Sequence, residues 1–223
     1  MSATTMGLIP PHLGERVLAA GRPLGEAKAA MILVHGRGAP AEDILGLGRE
    51  LGRSDLAYLA PQATGYTWYP NSFLAPFESN EPGLSSGLAL LGHLLARLEA
   101  EGIPAERTVL LGFSQGACLA LEFAARNARR YAGVVGLSGG LIGPPGTPRE
   151  YSGTPGSFAG TPVFLGCSDR DPHVPLARVK ETTEVLTKMG AQVTERIYPA
   201  MGHTVNEDEL EHVRALLAAS IPV

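Results

Sequence analysis

Ser114 stands in the run Gly112-Phe113-Ser114-Gln115-Gly116, a G-x-S-x-G pattern. A serine hydroxyl becomes an effective nucleophile when a base takes its proton and backbone N–H groups wait for the oxyanion that its attack creates. The pattern suits that chemistry for a steric reason. A serine displayed on a tight strand-to-helix turn adopts strained backbone angles, and small flanking residues let strand and helix pack closely around it. The amide of Gln115, at the head of the following helix, can then point at the developing charge. Five residues make a short motif, and the chain carries a second copy, Gly136-Leu137-Ser138-Gly139-Gly140. The residues on the C-terminal side of each serine separate the two. Ser114 comes after an apolar run and opens a helix-forming one. Ser138 opens Gly-Leu-Ile-Gly-Pro-Pro, which cannot form a helix. Ser114 is therefore the candidate nucleophile.

The base is sought among six histidines. After an elbow of this kind the chain order is serine, acid, histidine. His12, His35 and His93 precede Ser114. His35 ends an apolar run and is expected to satisfy loop backbone, and His93 falls within a leucine-patterned helix and is expected to be structural. Of the later three, His203 lies in Pro199-Ala-Met-Gly-His-Thr, after an alternating run and before the last helix, where a parallel sheet presents reactive side chains. His212 sits beside Glu211 in that helix and reads as a surface position. The orienting acid is expected in Ser168-Asp169-Arg170-Asp171-Pro172-His173. Spacing does not choose between Asp169 and Asp171, and the one left over reads as a loop cap. The Asp-x-Asp-x-His alternation also has the look of a metal site. No further ligand cluster stands near it in the chain, so no metal and no organic cofactor are expected. Val34-His35-Gly36-Arg37-Gly38 leaves the first strong apolar run, and its glycines let amides turn inward. The N–H of Arg37 is the expected second oxyanion donor, beside that of Gln115.

These residues need elements to position them. Continuous apolar runs at Ala29–His35, Leu56–Ala60, Thr108–Phe113, Ala132–Leu137 and Thr161–Cys167 predict buried strands, and Gln192–Tyr198 alternates like an edge strand. Helical patterns fall between them at Ala41–Gly52, Gly83–Glu101, Gln115–Asn127, Pro175–Lys188 and Leu210–Ala219. The alternation predicts an α/β fold, a mostly parallel sheet with helices on both faces. The 223 residues are expected to form a single domain, with residues 1–28 as an N-terminal arm or edge strand. Residues 64–82 and 139–160 are long irregular stretches and are expected to be pocket walls or lids. Trp68, Tyr69 and Phe73, in the first of them, are the expected lining of an acyl pocket.

Composition excludes several other classes. Apolar residues make up 44% and charged residues 18%, a globular balance without a disorder signature. The net charge is −4 and no basic stripe occurs, which argues against a nucleic-acid partner. No apolar run approaches a membrane span, and Met1–Gly14 lacks the pattern of a signal peptide, so integral membrane association is not expected. Cys118 and Cys167 form neither a disulfide framework nor a zinc pattern and read as reduced thiols of a cytoplasmic protein. The exposed side of the edge strand leaves a homodimer open.

Taken together, His35-Gly-Arg-Gly, Gly-Phe-Ser114-Gln-Gly-Ala, Asp171-Pro-His-Val-Pro175 and Gly202-His203 resemble the phospholipase/carboxylesterase family of α/β hydrolases, relatives of acyl-protein thioesterases. The stretch Ala60-Pro-Gln-Ala followed by Thr67-Trp-Tyr-Pro-Asn-Ser-Phe resembles bacterial members, and the likeness runs from about Ala29 to the C-terminus. The resemblance implies the α/β-hydrolase fold and a serine esterase acting on small or medium acyl esters, with thioesters or lysophospholipids as further small-molecule substrates, through an acyl-enzyme. It places the acid on Asp171, since the family's acid precedes Pro-x-Val-Pro. The chain departs from the family at Arg37, where many members carry an apolar residue, and at Ala39, where an Asp is familiar. The departure puts a long cation at the pocket mouth. A peptidase or amidase using the same triad, and a non-catalytic binding protein on the same fold, are the alternatives.

Overall fold

The computed structural model describes residues 11, 12, 14–147, 151 and 157–222. Among these residues seven strands form one sheet in the order β1-β3-β2-β4-β5-β6-β7. They are β1 (Val17–Gly21), β2 (Ala30–Val34), β3 (Ala57–Pro61), β4 (Thr108–Phe113), β5 (Gly133–Leu137), β6 (Pro162–Ser168) and β7 (Gln192–Tyr198). Only β1 runs antiparallel, against β3; every other pairing is parallel. The residues of β2, β3 and β5 are all buried, as expected for strands covered on both faces. β7 alternates exposed and half-buried residues and is an edge, as its sequence predicts.

Among the described residues five α-helices cover the sheet: α1 (Ala41–Glu50), α2 (Gly83–Ala100), α3 (Gln115–Arg126), α4 (Leu176–Lys188) and α5 (Glu207–Ser220). Side chains of successive strand residues point to opposite faces, so the sheet divides two cores. Ala30, Ile32 and Val34 of β2 pack with Leu91, Leu119 and Val179 from α2, α3 and α4. Met31 and Leu33 pack on the other face with Ile44, Leu45 and Val213 from α1 and α5. Strand order reverses between β2 and β4: α1 carries the chain from β2 out to β3, whereas α3 carries it from β4 to β5 on the other side. That reversal opens a crevice at the carboxyl ends of β2 and β4, where loops meet without a crossover above them.

Three expectations need correction. Helix α5 starts at Glu207, a turn before Leu210. The Asn206 side chain accepts the Glu209 N–H, and Glu209 returns a carboxylate oxygen to the Asn206 N–H, each at 2.9 Å. This capping box, Asn-x-x-Glu, is readable in the sequence. The stretch 139–160 is not a lid where it is described, and 148–150 and 152–156 lie outside the described residues. Residues 139–143 are buried. Ile142 N–H donates to the Glu122 carboxylate, Gly143 N–H donates to the Phe73 carbonyl, and the buried Arg178 guanidinium donates to the carbonyls of Leu141 and Gly143. The segment is a buried support behind Phe73, because these polar groups must find partners once water is excluded. His93, expected to be structural, lies on the exposed side of α2.

Candidate active site

Ser114 links β4 to α3 with φ 55° and ψ −120°, a left-handed conformation costly for a side-chain-bearing residue. Its flanking glycines are demanded by contact. A Cβ on Gly116 would lie 2.1 Å from the Val34 carbonyl oxygen, and one on Gly112 would lie 2.3 Å from the Gly116 carbonyl oxygen. Strand β2, strand β4 and helix α3 therefore close on one another only with glycine at both positions.

The loop after β7 brings His203 to this turn. His203 Nε2 is 2.8 Å from Ser114 Oγ, and His203 Nδ1 is 2.7 Å from Asp171 Oδ2. The other carboxylate oxygen of Asp171 accepts the N–H groups of His173 (2.8 Å) and Val174 (3.0 Å). Burial by itself raises the pKa of Asp171. The hydrogen bonds from the His203 ring and from the His173 and Val174 amides outweigh it and hold the carboxyl below its ordinary range. Asp171 is thus a buried anion directed at Nδ1, which leaves Nε2 as the lone-pair nitrogen facing the serine. The ring of His203 packs edge-on against His173 at 4.8 Å and at a tilt against Phe113 at 5.1 Å.

Asp169, the competing carboxylate, takes the loop-capping role. Its Oδ1 accepts the Ala200 N–H at 2.7 Å, and Ser168 Oγ accepts the Gly202 N–H at 3.1 Å. The two ties fix the base of the His203 loop to the end of β6. With one carboxylate on His203 and the other on Ala200, the Asp-x-Asp-x-His alternation does not converge. Among the described residues no group of three or more His, Cys, Asp or Glu side chains could hold a metal ion. No described helix is long and apolar enough to cross a membrane.

The second serine, Ser138, also has positive φ, at 50°, but it is fully buried with its N–H on the Gly166 carbonyl. His35 behaves as its place at the strand end predicts. Nδ1 donates to the Gly36 carbonyl at 2.7 Å and Nε2 accepts the Ala63 N–H at 3.0 Å. His12, in the expected N-terminal arm, is buried: Nε2 donates to the Trp68 carbonyl and Nδ1 accepts the Thr64 N–H.

The N–H of Gln115 opens α3, so no carbonyl one turn back accepts it. Arg37, in the loop after β2 across the crevice, lines one cavity of about 500 Å³ together with Gly36 and Ser114. Tyr69, Phe73, Cys118 and Val174 give that cavity an apolar wall. Trp68 does not line it, contrary to expectation. The indole is wholly buried, donates its N–H to the His35 carbonyl at 2.9 Å and packs against the rings of His12 and His35. It supports the wall from beneath. Burial pushes the Cys118 thiol up to about 12, which keeps this cavity residue from competing as a thiolate.

Three further side-chain roles stand outside the sequence expectations. Gln115 holds the aromatic loop, its Oε1 accepting the Trp68 N–H (2.9 Å) and its Nε2 donating to the Tyr69 carbonyl (2.8 Å). The Arg37 guanidinium turns away from the reacting atoms and donates to the carbonyls of Tyr69 (2.9 Å), Pro70 (2.9 Å) and Asn71 (2.6 Å). It clamps the cavity wall to the loop after β2 with a planar fork that lysine lacks. Arg37→Ala keeps the main-chain donor but frees the wall. It should lower kcat/KM for a short ester about tenfold or more, with Arg37→Lys giving little rescue. Unchanged kcat/KM in both variants would show that the clamp is idle.

Glu209 is the third. Behind the His203 loop it is fully buried, with one oxygen in the capping box and Oε1 without a partner, pressed on Gly166. Burial pushes its pKa from the ordinary 4.5 up to about 7. Between those values the folded protein holds a proton that the unfolded chain has released, so stability falls as pH rises through this window. The penalty, about 3 kcal/mol, is complete above pH 7. Glu209→Gln should remove this component, so denaturant midpoints measured from pH 5 to 8 should lose the decline seen in the wild type. An equal decline in both proteins would refute the assignment.

Comparison with known proteins agrees with this architecture. Residues 19–221 match the phospholipase/carboxylesterase family. The chain is 34% identical over 131 residues to an acyl-protein thioesterase 1 of Gibberella zeae, and 32% identical over 145 residues to that of Neurospora crassa. These matches cover 58% and 65% of this chain but 55% and 59% of those proteins, little more than half their length. A crystal structure of a phospholipase/carboxylesterase from Dyadobacter fermentans superposes with a TM-score of 0.87 at 45% identity, covering 91% of this chain and 96% of that one. The fold is that of the α/β hydrolases, and with a match running over nearly its whole length the chain belongs to the phospholipase/carboxylesterase family.

Proposed function

We propose that the protein is a serine carboxylesterase that hydrolyses small or medium acyl esters, thioesters among them, through an acyl-enzyme on Ser114. The observation that carries the reading is the unbroken hydrogen-bond chain from Ser114 Oγ through His203 to Asp171. His203 Nε2 takes the hydroxyl proton as Oγ attacks the carbonyl carbon. The oxygen that becomes negative is received by the N–H groups of Arg37 and Gln115, each worth about 3 kcal/mol in comparable sites. Collapse breaks the bond to the leaving group, which departs with the proton from Nε2. A water then repeats the sequence and regenerates the serine. Asp171, ionised and buried, holds the imidazole tautomer and stabilises the imidazolium. The Tyr69, Phe73, Cys118 and Val174 wall suits an apolar acyl chain.

The same features bear on organisation and setting. The chain acts as one catalytic domain, because both cores flank a single sheet. The two free, buried cysteines suit a cytoplasmic protein. A homodimer would form by strand addition at an edge, β1 or β7.

A fluorophosphonate probe with peptide mapping tests the assignment. Labelling is expected at Ser114 alone. Absence of labelling on folded protein would favour a binding protein. A short p-nitrophenyl ester compared with its matched anilide separates esterase from amidase. The ester is expected to turn over much the faster, and comparable rates would move the reading to an amidase.

A further inference from the structure

A second cleft opens beside the first. It shares Gly36, Ala39, Phe113 and His203 with the cavity that holds Ser114 but reaches neither Ser114 nor Gln115. Its volume is about 380 Å³, within the range of small-molecule sites. Ile44 and Leu47 of α1, Phe113 and Val205 give it an apolar lining, and the exposed Asp43 is its only carboxylate. We infer that this cleft binds the alcohol or thiol half of the substrate, and that the preferred substrates are esters of bulky apolar alcohols or thiols carrying no negative charge. The inference rests on the proposed esterase reading.

The geometry of acyl transfer assigns the two clefts. The carbonyl oxygen must reach the N–H groups of Arg37 and Gln115, so the acyl half starts in the cavity that contains them. The leaving oxygen must take its proton from His203 Nε2, so the other half starts against that ring. The second cleft begins at His203 and runs toward α1. A methyl or ethyl ester would leave its apolar lining in water, whereas a ring of six carbons would cover it. Charge adds a filter. Among the described residues lining the two cavities, Arg37 is the one long cation, and it is spent on three carbonyls at the wall of the first. Asp43 therefore meets an incoming leaving group with no lysine or arginine among the described residues that line the cleft beside it. An anionic leaving group is repelled and a neutral or cationic one accepted.

The test compares alcohols at constant acyl group. Ethyl and 2-cyclohexylethyl butanoate release alcohols of similar basicity, so their kcat/KM ratio reads binding of the alcohol half. The bulky ester is expected to be at least tenfold better, and Leu47→Asp should bring that ratio close to one. Phe73→Ala, in the first cavity, should change the butanoate-to-octanoate ratio and spare the alcohol ratio. 2-Phenylethyl butanoate should exceed its para-carboxylate analogue, with Asp43→Asn narrowing the gap. Ester hydrolysis with a wild-type alcohol ratio near one overturns the inference and leaves the esterase reading standing. A high ratio untouched by Leu47→Asp overturns the placement in this cleft. Failure to hydrolyse any ester, without probe labelling at Ser114, removes the reading beneath it and the inference with it.

Discussion

Ser114→Ala is expected to lower kcat for a short p-nitrophenyl ester by about 10⁶-fold, leaving only what the oxyanion donors and binding supply. The substitution removes the oxygen that His203 Nε2 addresses at 2.8 Å and disturbs little else. The residue keeps a Cβ, so the φ of 55° is neither relieved nor worsened, and the Ser114 N–H bond to the Leu137 carbonyl persists. Thermal unfolding of the variant should match the wild type within a few degrees. Ser138→Ala is the matching control, since that serine shares the positive φ but is sealed from solvent. Activity retained in Ser114→Ala, or lost equally in a folded Ser138→Ala, would end the assignment of Ser114.

Asp171→Asn should cost about 10⁴-fold in kcat. The reason lies in which way the new amide must face. One oxygen of Asp171 accepts the N–H groups of His173 and Val174, so the carbonyl oxygen of an asparagine is held on that side. Its NH₂ is then turned toward His203 Nδ1, which must accept. The ring's proton moves to Nε2, and that nitrogen can no longer take the serine proton. Because the wild-type carboxyl is held below its ordinary range, Asp171 stays ionised across the neutral and mildly acid range, and any loss of activity there arises elsewhere. Steady-state kinetics at neutral pH, with circular dichroism to check folding, decide the matter. A loss smaller than tenfold would mean that Asp171 does not set the tautomer. Equal harm from Asp169→Asn would return the choice between the two acids to the open state in which spacing leaves it.

Much of the architecture is legible along the chain. Five continuous apolar runs and one alternating run correspond to β2 through β7, with ends shifted by a residue at most, because burial on both faces leaves no polar position to blur the pattern. The strand-then-helix context around Ser114 distinguishes it from Ser138, and chain order together with a place between the edge strand and the last helix selects His203. The choice of Asp171 over Asp169 needed family resemblance, since two carboxylates two residues apart on one loop have the same local signal. Trp68 misled for a related reason. An aromatic beside Tyr69 and Phe73 reads as pocket lining, yet only the packing of His12 and His35 around it shows the indole turned inward.

By itself the sequence determined the sheet, its helices and the residues able to do the chemistry, because periodicity, glycine spacing and chain order are local properties. Tertiary structure alone decided which groups meet. Ser114 and His203 are 89 residues apart, and their 2.8 Å contact depends on ties from Asp169 and Ser168 whose partners lie about thirty residues on. The Arg37 side chain reaches across 32 to 34 residues to a cavity wall instead of facing the substrate. Long-range hydrogen bonds of this kind arise from burying polar groups that must be satisfied, and which partner satisfies them is fixed only once the chain has closed around them.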